Sequence, residues 1–84
     1  MEMTAAEKLE ELGYENVIVF SNYDSALIGV TEDNRAVYDY EKMIEYLIQE
    51  DGMTYDDAVE WISYNTIRAL PYAGSAAPII MYPI

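Results

Sequence analysis

Residues 25–40 read S-A-L-I-G-V-T-E-D-N-R-A-V-Y-D-Y and carry the pattern that decides the fold. Two runs rich in β-branched and aromatic side chains flank an E-D-N triplet, and this arrangement is typical of two strands joined by a turn. We therefore predict antiparallel strands over 25–31 and 36–40. The run at 36–40 has the alternating pattern of a strand, so it should have one buried and one exposed face.

The preceding run N-V-I-V-F-S, at 16–21, has the same composition and extends the prediction to a three-stranded meander. Because the runs at 16–21 and 25–31 are apolar at nearly every position, we expect these two strands to be covered on both faces or to have a central place in the sheet. Gly29 interrupts the run at 25–31 and predicts either a bulge or a close contact with a helix.

Helices are predicted on both sides of this meander. Thr4 and Glu7 have the spacing of a capping box and predict a helix over Ala5–Leu12, which Gly13 ends. A second helix should begin at Asp39 or Tyr40 and end at Gly52. Its predicted buried face consists of Met43, Ile44, Leu47 and Ile48.

A third helix is predicted to begin after Thr54, which has Asp57 three residues later, and to continue until Pro71. Its predicted core face consists of Ala58, Val59, Ile62, Thr66, Ala69 and Leu70. The tail P-I-I-M-Y-P-I, at 78–84, predicts a short strand at a sheet edge, since prolines flank it.

These elements predict an α+β fold in the order α-β-β-β-α-α-β, with three helices and a small, mostly antiparallel sheet. The sheet would consist of the meander and a C-terminal edge strand. Because the chain has 84 residues, and one core typically needs about 50 to 200, we predict a single domain over 1–84.

The amino-acid composition excludes several classes of catalytic and metal-binding chemistry. The chain has no cysteine and no histidine, so thiol catalysis, imidazole proton transfer and the usual zinc ligands are excluded. We expect no enzymatic activity and no cofactor. A formal net charge of −12 disfavours direct binding to nucleic acid or to an anionic membrane. The acidic start and the short apolar runs lead us to expect a cytoplasmic protein without a membrane span.

Carboxylates could in principle hold a hard metal ion, because four aspartates lie in or near predicted turns. No calcium-loop or phosphate-loop spacing accompanies them, and turn formation and helix capping explain their positions. We therefore predict no metal site. The four are Asp24, Asp33, Asp39 and Asp51.

Acidic side chains are concentrated between residues 41 and 60, where seven of them accompany Lys42 alone. Evenly spread acids would give about one per 300 Å² of surface, whereas duplex DNA carries about one charge per 100 Å². A protein that mimics DNA must therefore cluster its carboxylates. A surface that confers only solubility is the alternative.

The predicted third helix also carries residue types that are enriched in binding hot spots. Their spacing forms one stripe, which consists of Asp57, Trp61, Tyr64 and Arg68. The alternative is that Trp61 packs under the tail and that Arg68 pairs with a carboxylate. Asn65 should satisfy backbone groups of the following loop. The predicted partner-binding residues are Glu41, Glu45, Asp56, Asp57, Glu60, Trp61, Tyr64 and Arg68.

The stretch from Ala36 to Ile84, especially Y-N-T-I-R-A-L-P-Y and A-P-I-I-M-Y, resembles a family of small acidic uncharacterised proteins of bacterial genomes and their phages. The resemblance implies no activity, cofactor or site residue. It does imply a context in which small acidic proteins block the nucleic-acid channels of host defence nucleases.

We therefore expect a non-enzymatic protein-binding module that presents carboxylates to a basic surface such as a nucleic-acid-binding groove, as an inhibitor of the anti-CRISPR or anti-restriction type would. Two alternatives stay open. The first is a small structural or regulatory domain that forms a homodimer through its C-terminal strand. The second is a nucleotide binder that stacks the base between tyrosines and holds the phosphate with Arg35, Arg68 and helix amino termini.

Overall fold

The computed structural model describes residues 3–84. These form an α+β structure with three α-helices and a three-stranded mixed sheet. The helices are α1 (Ala5–Glu11), α2 (Tyr40–Asp51) and α3 (Tyr55–Trp61), and the strands are β1 (Leu27–Val30), β2 (Ala36–Asp39) and β3 (Ile79–Met81).

The predicted helix boundaries follow from local caps. Thr4 and Glu7 form the complete capping box of α1, and Gly13 adopts the left-handed backbone, with φ +91°, after the helix ends. The Asp39 side chain accepts from the Lys42 N–H and caps α2, while Gly52 ends that helix at φ +67°. Each of these predictions is confirmed because the signal lies within one turn of the boundary.

The hairpin between β1 and β2 is antiparallel, as predicted. A register shift between Leu27 and Gly29 shows the bulge that Gly29 predicted. The helix-contact alternative is wrong, since no atom of the described residues other than Gly29 and its two chain neighbours lies within 4 Å of the position that a Cβ of Gly29 would occupy. On β2, Ala36 and Tyr38 are fully buried and Val37 is only partly covered, which confirms the predicted alternation.

The strand predicted at 16–21 is wrong. Asn16 and Tyr23 have positive φ values of 60° and 64°, which interrupt an extended chain on both sides of the run. The segment is held instead by side chains: the Phe20 N–H donates to Tyr38 Oη at 3.1 Å, and Asn34 Nδ2 donates to the Glu15 carbonyl at 2.9 Å. Its apolar side chains reach the core without a strand partner.

The prediction that the first two runs are covered on both faces is also wrong. Strand β1 lies at an edge of the sheet, since the strand order is β1-β2-β3, and its residues Ile28 and Gly29 are exposed. In the segment before it, Ile18 is likewise exposed, while Val17 and Val19 pack against the core. A continuous apolar run therefore did not indicate burial here.

The pairing of β3 corrects the mostly antiparallel sheet. It lies at the sheet edge, as predicted, but it runs parallel to β2, with Tyr38 opposite Ile80. Parallel neighbours need a long crossover, and α2 and α3 supply it, because α2 begins directly after β2. The observed order is α-β-β-α-α-β.

The third helix differs from its prediction after Trp61. The α-helix ends there and continues as a π-helical turn over Ile62–Thr66 and then as a 3₁₀ segment over Ile67–Ala76, which contains Pro71 and a non-helical Gly74. Of the predicted core face, Ala58, Ile62 and Thr66 are buried, but Ala69 is exposed. Val59 and Leu70 are partly buried, and Ile67, which is outside the predicted face, packs against the core.

The core lies between α2, β2 and the start of the α3 region. Ile48, predicted on the buried face of α2, is instead exposed. None of the helices formed by residues 3–84 is long and apolar enough to cross a membrane. The buried cluster consists of Tyr23, Ala26, Ala36, Tyr38, Met43, Ile44, Leu47, Ala58 and Ile62.

Candidate interaction site on the third helix

The start of α3 is defined by a side-chain cap. Thr54 Oγ1 accepts from the Asp57 N–H at 3.2 Å, as its position in the sequence predicts. Asp56 and Asp57 then occupy the first turn, where negative charge interacts favourably with the helix dipole. These two carboxylates therefore contribute to helix stability as well as to the charge of the surface.

The π-helical turn begins directly after Trp61. The Ile67 N–H donates to the Ile62 carbonyl, five residues earlier, and also contacts the Ser63 carbonyl. Single π-helical turns inside helices occur frequently at functional sites. Asn65 Nδ2 donates to the Trp61 carbonyl at 3.2 Å, so this amide satisfies the preceding turn. The prediction that it satisfies the following loop is therefore wrong.

A shallow, open depression of about 360 Å³ lies on the exposed side of this turn. Trp61 is 42% exposed and Tyr64 is 60% exposed, so both rings can contact another molecule. We call this feature the Trp61 depression. Its lining residues are Asp57, Glu60, Trp61, Tyr64 and Asn65.

A second depression, of about 210 Å³, adjoins the first because Trp61 and Asn65 line both. Its other wall comes from the loop before β1, which the sequence does not place near α3. The amino-acid sequence carries no signal that these two segments meet, since the loop and α3 are far apart along the chain. The remaining lining residues are Phe20, Ser21, Asn22, Thr66 and Ala69.

Arg68 lies over the ring of Tyr64, with the guanidinium carbon 5.7 Å from the ring centroid. This is a cation–π contact, a partner that the alternative interpretation had not assigned to Arg68. Trp61 keeps 42% of its surface exposed, so it is not fully buried. Both aromatic members of the predicted stripe are therefore accessible.

The other predicted partner-binding residues are exposed, but they lie outside the Trp61 depression as the described residues form it. Glu41 and Glu45 are one turn apart on α2, and Asp56 lies in the first turn of α3. Because α2 packs against α3, all three are on helices of the same layer. The structure thus joins Asp57, Glu60, Trp61 and Tyr64 in one place. Arg68 is not among the lining residues but contacts one of them, Tyr64.

Two of the four turn aspartates, Asp33 and Asp39, serve local structure, as the sequence predicted, whereas Asp24 bonds to a residue nineteen positions away. Asp24 accepts from the Ala5 N–H at 2.9 Å, Asp33 accepts from the Thr31 hydroxyl, and Asp39 caps α2. Within residues 3–84, no group of three or more acidic side chains has the arrangement of a metal site.

The tyrosines are mostly used by the protein itself. The rings of Tyr40 and Tyr82 contact each other at a centroid distance of 4.7 Å. Burial raises the pKa of Tyr40 above its usual value, with smaller contributions from Tyr82, Tyr55 and Glu41. Arg35 Nε donates to the Ala77 carbonyl at 2.8 Å, so this cation is engaged in anchoring the tail.

Comparison with known proteins finds no family model, no curated protein and no solved structure that matches the chain. The resemblance of Ala36–Ile84 to small acidic proteins of bacteria and phages therefore stays a prediction.

Proposed function

We propose that this protein is a non-enzymatic binding module that docks on a basic surface of another protein through the Trp61 depression and the acidic helix surface around it. The observation that carries the proposal is the exposure of Trp61 and Tyr64 beside Asp57 and Glu60. Exposed aromatic residues are the type that anchors interfaces. Carboxylates around them steer a basic partner toward the anchor.

Charge supports a basic partner. The net charge is −12, and the lining of the Trp61 depression includes two carboxylates and no lysine or arginine. Asp56 adds exposed negative charge on α3 itself, and Glu41 and Glu45 add it on α2. The binding of such a surface to a basic groove should weaken steeply as salt rises.

In its finer form, the proposal is that the partner is a host defence nuclease and that the acidic helices take the place of DNA. Mimicry of DNA requires the carboxylates to be clustered, because their average density over the surface is too low. Sixteen acids on 5741 Å² give roughly one per 360 Å², whereas duplex DNA carries about one charge per 100 Å². The concentration of seven acids between residues 41 and 60 supplies such clustering along the chain.

A displacement assay tests the proposal. Purified restriction and CRISPR nucleases are loaded with fluorescent duplex DNA and titrated with this protein at low and high salt. Asp57→Asn/Glu60→Gln should weaken displacement at least tenfold. The matched control Glu10→Gln/Glu11→Gln removes the same charge from α1, where both side chains are exposed. Equal loss in both variants would show that net charge alone acts, and no displacement by the natural protein would refute the nuclease form.

A second function, self-association, is favoured by one observation: β3 pairs on one side only within the described sheet, and Tyr82 beside it is exposed. An open strand edge can pair with a second copy. Multi-angle light scattering would then show a dimer that is insensitive to salt. Met81→Lys should dissociate it, whereas Tyr72→Lys, at a side chain that is 92% exposed, should not.

A further inference from the structure

The Trp61 depression combines two kinds of group that together select a particular cation. Asp57 and Glu60 supply carboxylates, and Asn65 supplies a carboxamide whose nitrogen is already used by the Trp61 carbonyl. Trp61 and Tyr64 supply two aromatic rings with large exposed areas. A ligand that uses the whole lining must carry positive charge and must also stack.

A guanidinium group meets both requirements. It is planar and weakly hydrated, it stacks on aromatic rings, and its donors fit a carboxylate in a bidentate geometry. A lysine ammonium is a compact and strongly hydrated charge, so it would use the carboxylates but gain less from the rings. A bare divalent cation prefers six or more oxygen ligands, which two carboxylates beside aromatic rings do not provide.

The protein already contains one example of this chemistry on a ring that lines the depression, Tyr64. The guanidinium of its own Arg68 lies 5.7 Å from the Tyr64 ring centroid. The Tyr64 ring therefore already receives a guanidinium from within the chain, which leaves Trp61 as the ring for a guanidinium of a partner. The Trp61 ring has no such contact with a cation among the described residues, although it is the better partner for one.

We propose that the Trp61 depression is a receptor for a single arginine side chain of the basic partner. The guanidinium stacks on Trp61 and its N–H groups donate to Asp57 and Glu60. This inference rests on the proposed function and deepens it, because it names the residue of the partner that the site selects.

The test uses two peptides of equal length and charge, one with arginine and one with lysine at the same positions in a neutral background. Trp61 is the only tryptophan of the chain, so its emission reports occupancy of the site, and calorimetry gives the affinity. The arginine peptide should bind at least about fivefold more tightly, which corresponds to about 1 kcal/mol of cation–π interaction.

Variants separate the site from general charge. Trp61→Leu should abolish the preference for arginine in calorimetry, while Trp61→Phe should retain part of it, and the urea midpoint of each variant shows whether it is folded. Glu10→Gln/Glu11→Gln should leave the preference intact.

Equal binding of the two peptides, weakened alike by Asp57→Asn/Glu60→Gln, would overturn the arginine inference and leave the basic-surface proposal standing. Absence of binding by both peptides would also overturn the inference, and the displacement assay then decides the proposed function independently. An arginine preference that persists in Trp61→Leu would place the receptor elsewhere and overturn the assignment.

Discussion

The Tyr23 hydroxyl lies 3.0 Å from Thr66 Oγ1, and both side chains are buried. This hydrogen bond joins the loop before β1 to the π-helical turn that follows Trp61. It is a contact between residues 43 positions apart, and it holds the two walls of the candidate site together.

Tyr23→Phe should destabilise the fold by about 1 to 3 kcal/mol, because it leaves the buried Thr66 hydroxyl without its partner. Urea unfolding followed by circular dichroism measures the change. Adding Thr66→Val should cost less than the sum of the single changes, since both polar groups are then removed. Tyr72→Phe, at an exposed ring, serves as the control. Strictly additive effects would contradict the assigned contact.

Stability should fall at alkaline pH. Burial raises the pKa of Tyr38 above its usual value, although the hydrogen bond from the Phe20 N–H opposes the rise, and burial also raises the pKa values of Tyr40 and Tyr46. The unfolded chain therefore loses these protons first, from about pH 10 upward. The stabilisation is complete below that pH and is lost as pH rises toward the folded-state pKa values.

Tyr38→Phe should flatten this alkaline decline, while it lowers stability near neutral pH by about 1 kcal/mol through the lost hydrogen bond. The free energy of unfolding, measured by urea titration at a series of pH values, provides the comparison. Tyr72→Phe should keep the slope of the natural protein. If the slope of Tyr38→Phe were also unchanged, the alkaline decline would have to arise from other groups.

Arg35→Lys should loosen the C-terminal strand. The Arg35 Nε donates to the Ala77 carbonyl at 2.8 Å, two residues before β3 begins, and lysine has no donor at that point of its side chain. A hydrogen bond with a charged donor contributes about 1.5 to 3 kcal/mol. Hydrogen exchange at Ile79–Met81 should accelerate, whereas Arg68→Lys should leave it unchanged. Similar acceleration in both variants would argue against a specific anchor.

Thr54→Ala should cost about 1 kcal/mol of stability, because the Asp57 N–H at the start of α3 loses its acceptor. Thr54→Ser keeps the hydroxyl and should retain most of the stability. Faster hydrogen exchange of the Ala58 N–H, which donates to the Thr54 carbonyl, should report the fraying, and urea unfolding measures the stability. Full stability in Thr54→Ala would show that tertiary contacts alone hold this end of the helix.

The sequence was most informative where the deciding groups are near neighbours. Thr54 could be recognised as a cap because its acceptor serves an amide three residues away, and Gly52 as a helix end because it needs only its own left-handed backbone. The exposed stripe of the candidate site was partly recognisable for the same reason. Trp61 and Tyr64 are close along one helix, so their spacing alone places them together.

Prediction from the sequence was weakest where a helical period had to continue over many residues or where the hydrogen-bond partner is distant in the sequence. The run at 16–21 has strand composition, but the Phe20 N–H donates to the Tyr38 side chain, and the Asn34 side chain donates to the Glu15 carbonyl just before the run. The predicted third helix changes period after Trp61, so its continuation as an α-helix to Pro71 was not borne out. No pattern within a short window reports which distant group will satisfy a buried amide or hydroxyl.

The amino-acid sequence by itself determined the helix caps, the β1–β2 hairpin, the negative charge and the exclusion of thiol and imidazole chemistry, because each depends on residue types or on spacing within a few positions. Only the tertiary structure decided that β3 runs parallel to β2, that Tyr23 meets Thr66, and that the loop at 20–22 forms a wall beside Trp61. Those arrangements depend on which remote surfaces can pack and satisfy each other's polar groups, and that depends on the whole chain at once.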